Sequence, residues 1–450
     1  MAAGPSTRTP PRPLPASDLT DALGAVLGGA IDDVVRLSGG ASRETWAFTC
    51  DGVAMVLQRE RPGGIRTGGG MAAEAGLIRA AGAVGVPVAE VVATGGDDGL
   101  GGPWLVAHRV DGETIPRRIL RDDAMAGARD ALAGQCGTAL AKLHSVDPDS
   151  VDGLEELDQI QQFRDLVDVL DEPHPTFELG FRWLEERRPP ASGRALVHGD
   201  FRHGNLIVGP DGLRAVIDWE LAHLGDPLED LGWLCVRAWR FGGPHPVGGF
   251  GQREDLYAAY EAAGGRPVDV DAARWWEVLG TLKWGVMCII QAATHLTGQS
   301  RSMELAAIGR RVCENEYDLL GLIDPEGAVP APTPAEPLDA GLHDAPSAPL
   351  LVEAVREWVE ADVRDATEGR LQFHTRVAAT VLSTVERELT LGPAMAVAHR
   401  ERLAALGVES ERELAAKIRA GEWSNDDRAL LDGLRQSVVD KLAVANPKYL

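Results

Sequence analysis

The chain has 450 residues, of which 44% are hydrophobic and 25% are charged, and its formal net charge at pH 7 is −24. A chain of this length can form about three domains of roughly 150 residues each, and the composition is that of a globular protein with sizeable cores. The acidic excess argues against nucleic acid or an anionic membrane surface as the main partner, because both require basic patches.

The five cysteines are scattered and form no CxxC pair, which predicts neither a disulfide framework nor a zinc ribbon and favours a reducing, cytoplasmic location. Residues 1–17 are rich in proline and lack the apolar core of a signal peptide, so we expect a disordered leader. The most apolar later stretch, WGVMCIIQAATHL, is short and interrupted by polar residues, which predicts a buried helix and no membrane span.

Residues 18–110 alternate between helical and strand patterns. A short helical stretch, DLTDALGAVLG, precedes two β-rich runs that are separated by the turn signal Asp51-Gly52. A second helical stretch, MAAEAGLIRAAGAV, precedes two further strand candidates, VPVAEVVATG and PWLVAHRV. This order predicts a small lobe built on an antiparallel sheet with one inserted helix.

Helical patterns predominate in residues 111–323, but the stretch LVHGDFRHGNLIVGPDGLRAVIDWELAHLGD interrupts them with two short strands, LIV and AVID, around a Pro-Asp-Gly turn. Residues 324–346 are rich in proline and alanine and are predicted to be an interdomain linker. Residues 347–450 repeat apolar residues at helical spacing, which predicts an all-α bundle. Through this bundle the chain could form a homo-oligomer or bind a partner subunit.

The interrupting stretch carries the residue types that phosphoryl transfer requires. That reaction needs a carboxylate to orient the acceptor hydroxyl, and hard oxygen ligands to hold Mg²⁺ against the phosphates. Asp200 and Asn205 lie on the loop that leads into LIV, and Asp218 ends the strand AVID. A hairpin between the two strands would bring Asn205 and Asp218 to neighbouring sides of one cleft.

The motifs H-G-D-F-R-H-G-N and I-D-W-E resemble the catalytic loop and metal-binding strand of the aminoglycoside phosphotransferase family, whose members are related to protein kinases. Together with A-K-L-H-S-V-D and L-A-H-L-G-D-P-L-E-D-L, they are similar to the kinase-like domain that is fused to some acyl-CoA dehydrogenases. This resemblance implies an α+β, bilobal protein-kinase-like fold with a small antiparallel-sheet N-lobe and a mostly helical C-lobe. The all-α bundle that follows resembles an uncharacterised helical domain appended to such phosphotransferases.

The resemblance also assigns roles to residues in both lobes. Asp200 would be the catalytic base, and Asn205 and Asp218 would be the Mg²⁺ ligands. His198 and Asp230 would support the catalytic loop. The residues implied in ATP binding are Gly39, Gly40 and Ser42 on a phosphate-covering loop, Glu74 on the inserted helix, and the main chain of His108 and Val110 at the hinge. Glu220 could contact the substrate.

One position departs from the family pattern. The strand residue expected to be Lys or Arg lies in V-L-Q-R, where Gln58 has the expected register and Arg59 follows it. Successive strand side chains point to opposite faces, so only one of the two enters the cleft easily. We expect a bulge or a register shift that brings Arg59 to the phosphates; otherwise Gln58 leaves the site weakened.

These observations predict an ATP- and Mg²⁺-dependent phosphotransferase that acts on a hydroxyl group of a small molecule. The resemblance favours a hydroxyacyl thioester or another alcohol metabolite over an aminoglycoside. Two rivals remain: a nucleotide-binding module without turnover, with Gln58 as its lesion, and a metallohydrolase. The metallohydrolase would use His198, Asp200, His203 and Asp218, but the sequence offers no further histidine–carboxylate cluster to complete it.

Overall fold

The computed structural model describes residues 16–37, 43–60, 70–96, 99–151, 153–336 and 344–450. Contacts within it divide the chain into two compact units, one of Met1–Leu157 and Pro190–Glu277 and the other of Asp158–Pro189 and Val278–Leu450. The boundary predicted after residue 323 therefore falls inside the second unit.

The secondary structure elements agree with the predicted small sheet lobe and the predicted LIV and AVID strands, but two further short strands, Ala195–Val197 and His223–Gly225, were not predicted. The strands are β1 (Ile31–Arg36), β2 (Arg43–Cys50), β3 (Val53–Glu60), β4 (Val91–Gly95), β5 (Trp104–His108), β6 (Ala195–Val197), β7 (Leu206–Gly209), β8 (Gly212–Val216) and β9 (His223–Gly225). The helices are α1 (Ala16–Leu27), α2 (Gly70–Ala83), α3 (Pro116–Arg121), α4 (Ala126–Leu143), α5 (Gln159–Leu170), α6 (Pro175–Glu186), α7 (Leu228–Cys235), α8 (Arg253–Ala262), α9 (Val270–Leu296), α10 (Met303–Gly309), α11 (Val312–Ile323), α12 (Ala348–Trp358), α13 (Gly369–Ala405), α14 (Glu411–Arg419) and α15 (Arg428–Ala445). No helix among the described residues is long and apolar enough to cross a membrane.

A five-stranded antiparallel sheet, in the order β1-β2-β3-β5-β4, forms the amino-terminal part of the first unit. Its outer face buries Trp46 and Phe48 of β2 and Leu57 of β3 in a core that Leu19 and Leu23 of α1 complete. Helix α2 is inserted between β3 and β4. The predicted small sheet lobe with one inserted helix is thus confirmed.

The rest of the first unit is mainly helical and contains two short strand pairs, β6 with β9 and β7 with β8. The predicted Pro-Asp-Gly turn joins β7 to β8, and Asp218 lies just beyond β8. Leu140 of α4, Leu231 of α7 and Tyr260 of α8 share one core with Phe201 and Leu206. This core supports the loop that carries the candidate catalytic residues.

The second unit is helical in its described part, and the predicted all-α character of the tail is confirmed. The core of the tail is not separate, however, because Leu179 of α6 and Leu320 of α11 join it. The other buried members of this cluster are Cys313, Leu403, Val408, Leu414, Ile418, Leu430, Leu431, Leu434, Val438 and Leu442. Part of the predicted linker is also anchored, since Thr333 donates two hydrogen bonds to Asp440 of α15, at 2.8 and 2.9 Å.

Candidate active site

The loop between β6 and β7 holds Asp200 in a network of hydrogen-bond donors. Oδ2 accepts from Asn205 Nδ2 at 2.6 Å, and Oδ1 accepts from Trp233 Nε1 at 2.9 Å. Arg202 Nε reaches both oxygens, at 3.0 and 3.1 Å, and its guanidinium lies 4.7 Å from the ring centroid of Trp239. The carboxylate is therefore buried and held in one orientation.

The structure brings Asn205 close to the segment that contains Asp218, as the hairpin predicts. The Asn205 carbonyl accepts the N–H of Ile217, the residue before Asp218, at 3.0 Å. Asn205 Nδ2 also donates to the Asp200 carbonyl at 3.0 Å. The Asn205 Oδ1 atom has no hydrogen-bond partner in the described part of the chain. Asp218 has a φ of 69°, a strained conformation for a residue other than glycine and one that is enriched at functional sites.

Negative charge is concentrated around Asp218. Burial and the nearby carboxylates of Glu220 and Asp200 together raise the pKa of Asp218 to about 6, against the lowering effect of Arg43 and Arg202. No group of three or more His, Cys, Asp or Glu side chains arranged to hold a metal occurs among the described residues. Mg²⁺ is commonly bound by one or two carboxylates together with substrate phosphates and water, and the Asp218 carboxylate with the free Asn205 oxygen fits that donor set.

Asp230, in the first turn of α7, braces the start of the loop between β6 and β7. Its fully buried carboxylate accepts the main-chain N–H of His198 at 2.8 Å and of Gly199 at 2.9 Å. His144 Nε2 lies 3.2 Å from the same carboxylate, and its Nδ1 lies 3.0 Å from the Tyr260 hydroxyl. Burial acts to raise the pKa of Asp230, but the hydrogen bonds from His144 and His198 outweigh it and keep the pKa below its ordinary value.

The two histidines of the loop, His198 and His203, are buried and contact main-chain groups. His198 Nδ1 accepts the Asp200 N–H at 3.2 Å, and burial lowers the pKa of the ring. His203 Nδ1 lies 2.6 Å from the Gly248 carbonyl, its ring packs edge-on against Phe250, and burial lowers its pKa to about 4. This arrangement gives no support to a shared metal site formed by these histidines with Asp200 and Asp218.

The residues predicted to bind the rest of the nucleotide are described only in part. Gly39, Gly40 and Ser42 lie outside the described residues. At the predicted hinge, the His108 N–H already donates to the Glu90 carbonyl at 2.9 Å. The main-chain groups of Val110 have no hydrogen-bond partner within the described ranges, so they are available to a ligand.

Arg59 does not enter the cleft. Strands β2 and β3 pair in a regular antiparallel register that places Glu44 opposite Arg59 and Thr45 opposite Gln58. Arg59 is 3% exposed, and it binds Glu44 Oε2 through Nη2 at 2.5 Å and the Leu100 carbonyl through Nη1 at 2.6 Å. The expectation of a bulge was wrong: without one, alternate side chains keep to opposite faces, and Gln58 points to the face away from Arg59.

Arg43 of β2 supplies the positive charge on the Gln58 face, and the sequence reasoning missed it. Its Nη1 lies 2.8 and 2.7 Å from the two carboxylate oxygens of Glu74 on α2, and its Nη2 lies 3.2 Å from Glu220. Burial acts to lower the pKa of Arg43, but Glu74, Glu220 and Asp218 raise it above the ordinary value. The pKa of Glu74 is also raised, since burial outweighs the effect of Arg43. An ion-pair cluster thus joins β2, α2 and the segment after β8.

The fold is that of a kinase-like phosphotransferase. The chain belongs to the Phosphotransferase enzyme family, whose model matches residues 33–276. Residues 365–449 match a second model, described as a domain of unknown function (DUF6285).

The chain is similar in sequence to a curated protein of Mus musculus and in fold to solved structures. The chain is 28% identical over 221 residues to acyl-CoA dehydrogenase family member 10 of Mus musculus, a match that covers 45% of this chain and 20% of that protein. It therefore spans about a fifth of the length of that relative. A choline/ethanolamine kinase family protein from Mesorhizobium loti has a TM-score of 0.50 at 21% identity, covering 68% of this chain and 94% of its own. A spectinomycin phosphotransferase in complex with ADP and spectinomycin has a TM-score of 0.51 at 15% identity, covering 68% and 99%. At these identities the two structures show a shared fold.

Proposed function

We propose that the chain is an ATP- and Mg²⁺-dependent phosphotransferase that transfers the γ-phosphoryl group to a hydroxyl group of a small molecule. The observation that carries this proposal is the buried Asp200 carboxylate, fixed by Asn205 and Trp233 and close enough to Asp218 to raise its pKa. Catalysis of phosphoryl transfer depends mostly on such positioning and on charge stabilisation.

In the proposed reaction Asp200 orients the acceptor hydroxyl and accepts its proton. A bond forms between the acceptor oxygen and the γ-phosphorus as the bond from that phosphorus to the ADP oxygen breaks. Asn205 and Asp218 would hold Mg²⁺, whose charge offsets that of the phosphates. Arg202 and Trp233 keep the Asp200 carboxylate in the orientation that the hydroxyl needs.

For the acceptor we favour a hydroxyacyl thioester or another alcohol metabolite over an aminoglycoside. Phe241 and Phe250 line a cavity of about 260 Å³, and both rings pack against His203 of the loop between β6 and β7. The same cavity is lined by Arg117, Arg121 and Arg129, with Asp130 as the one carboxylate among its lining residues. Such a lining suits an acceptor that carries negative charge and disfavours a polycation. The name of the Mus musculus relative, an acyl-CoA dehydrogenase, points in the same direction.

A nucleotide-binding module without turnover is the second candidate, and Gln58 favours it. This neutral residue occupies the strand face where the family pattern has Lys or Arg. Arg43 argues against this candidate because it places a cation on the same face.

Two measurements on the full chain separate these candidates. Calorimetry measures MgATP binding, and mass spectrometry searches a metabolite extract for an ATP-dependent gain of one phosphate. Binding together with a phosphorylated product that Asp200→Asn abolishes would support the phosphotransferase. Binding without any product or ATP hydrolysis would favour the module, and absence of MgATP binding would contradict both.

A further inference from the structure

We infer that Arg43 of β2 is the cation that holds the nucleotide phosphates in this chain, in place of the Lys or Arg that the family pattern has on β3. Since this role concerns how ATP is bound, it rests on the proposed function. It assigns the phosphate contact to a different strand and to a residue outside the V-L-Q-R segment.

The strand register places Arg43 within reach of the expected position. Thr45 lies directly opposite Gln58, and Arg43 precedes Thr45 by two residues, so its side chain points to the same face. Diagonal neighbours of this kind are about 7–8 Å apart across two strands, a distance that long side chains span. An arginine at position 43 can therefore put its guanidinium where a lysine at position 58 would put its ammonium group.

The contact with Glu74 positions Arg43 without using up its donors. In protein kinases the phosphate-binding lysine pairs with a glutamate of the inserted helix while it contacts the phosphates. Glu74 plays that part here: it is 4% exposed and contacts Nη1. Nη2 faces Glu220, whose side chain is 24% exposed. We therefore expect phosphate oxygens to replace Glu220 at Nη2 while the Glu74 pair persists.

Two other arginines could be considered, and their contacts argue against both. Arg59 lies on the opposite face of the sheet, bound to Glu44. Arg202 is close enough to Asp218 to lower its pKa, but its Nε already binds both oxygens of Asp200. Arg202 therefore positions the carboxylate that would accept the proton of the acceptor hydroxyl. Arg43 instead connects α2 with the segment after β8.

The test compares nucleotide binding with adenosine binding in the full chain. Arg43→Gln is expected to weaken MgATP and MgADP binding at least tenfold, equivalent to about 1.4 kcal/mol, and to change adenosine binding less than twofold. Arg43→Lys should retain most of the MgATP affinity. Arg36→Gln is the matched control, because Arg36 also pairs with a strand carboxylate, Glu44, but on the opposite face. It should bind both ligands as the wild type does.

A double variant that moves the cation from position 43 to position 58 distinguishes phosphate binding by Arg43 from a purely structural role. Arg43→Gln combined with Gln58→Lys moves the cation to β3 and should restore MgATP affinity to within threefold of wild type. Unchanged MgATP affinity in Arg43→Gln would overturn the inference, and so would an equal loss of MgATP and adenosine without rescue, since that would show that Arg43 only anchors α2. A wild-type chain that fails to bind MgATP would instead refute the proposed function itself.

Discussion

Replacing Arg59 by methionine should destabilise the small sheet and leave nucleotide binding almost unchanged. The structure makes Arg59 the buried partner of Glu44, whose pKa it holds down: burial acts to raise that pKa, and the Arg59 contact outweighs it. In Arg59→Met the Glu44 carboxylate keeps its ion pair with Arg36, at 3.0 Å, but the Arg36 side chain is 46% exposed.

The size of the effect follows from the burial of the pair. Breaking a buried ion pair by removing one partner costs about 3–5 kcal/mol, because the other charge stays buried. Since Arg36 still compensates part of the Glu44 charge, we expect a loss near the lower end, about 3 kcal/mol. The double variant Arg59→Met/Glu44→Leu removes both charges and should recover at least half of this loss, because apolar replacements of buried pairs are often neutral or stabilising.

Hydrogen exchange of β2 and β3 peptides is the suitable assay, because it reports local stability in a chain with two compact units. Protection of these peptides should fall in the single variant and recover in the double variant. At a temperature where the single variant stays folded, its KM for ATP should lie within threefold of wild type. Undiminished protection combined with a tenfold higher KM for ATP would show that Arg59 faces the cleft and that the register argument is wrong.

Three further predictions concern catalysis, the tail and pH. Asp200→Asn should retain MgATP binding but lose phosphoryl transfer by a factor of 100 or more, on the order expected for loss of a general base, and near-normal turnover in product assays would exclude that role. A fragment of residues 1–330 should be insoluble or melt well below the full chain, because it exposes Leu179 and Leu320 of the shared core; a soluble fragment with an unchanged melting temperature would contradict this. Burial acts to lower the pKa of His174, but Glu172 and Glu316 outweigh it and raise the pKa to about 9. The stability that His174 gains from these two carboxylates is complete below about pH 6.5 and is lost as pH rises to about 9, by roughly 3 kcal/mol. Melting temperatures measured across this range should therefore fall less in His174→Gln.

The placement of the residues proposed to act in catalysis could be predicted from sequence because they lie close together along the chain. Asp200, Asn205 and Asp218 lie on one loop and one hairpin, so the spacing alone brings Asn205 near Asp218, and the Ile217–Asn205 hydrogen bond agrees with that arrangement. The kinase-like order of strands and helices could be predicted for the same reason, since each element has its own apolar periodicity. The alternation of side chains along a strand already placed Gln58 and Arg59 on opposite faces of the sheet. The error was to expect a bulge that would turn Arg59 toward the cleft.

Only the tertiary structure decided which distant residues became partners. Arg43 and Glu74 are 31 positions apart, and His144 and Asp230 are 86 positions apart, so no local pattern identifies either pair. The sequence also favoured a separate tail, because its linker is rich in proline and alanine. Leu320 and Leu442 nevertheless share one core. A helix buries its apolar face against the surface that covers it best, and the sequence of the helix alone does not identify that surface.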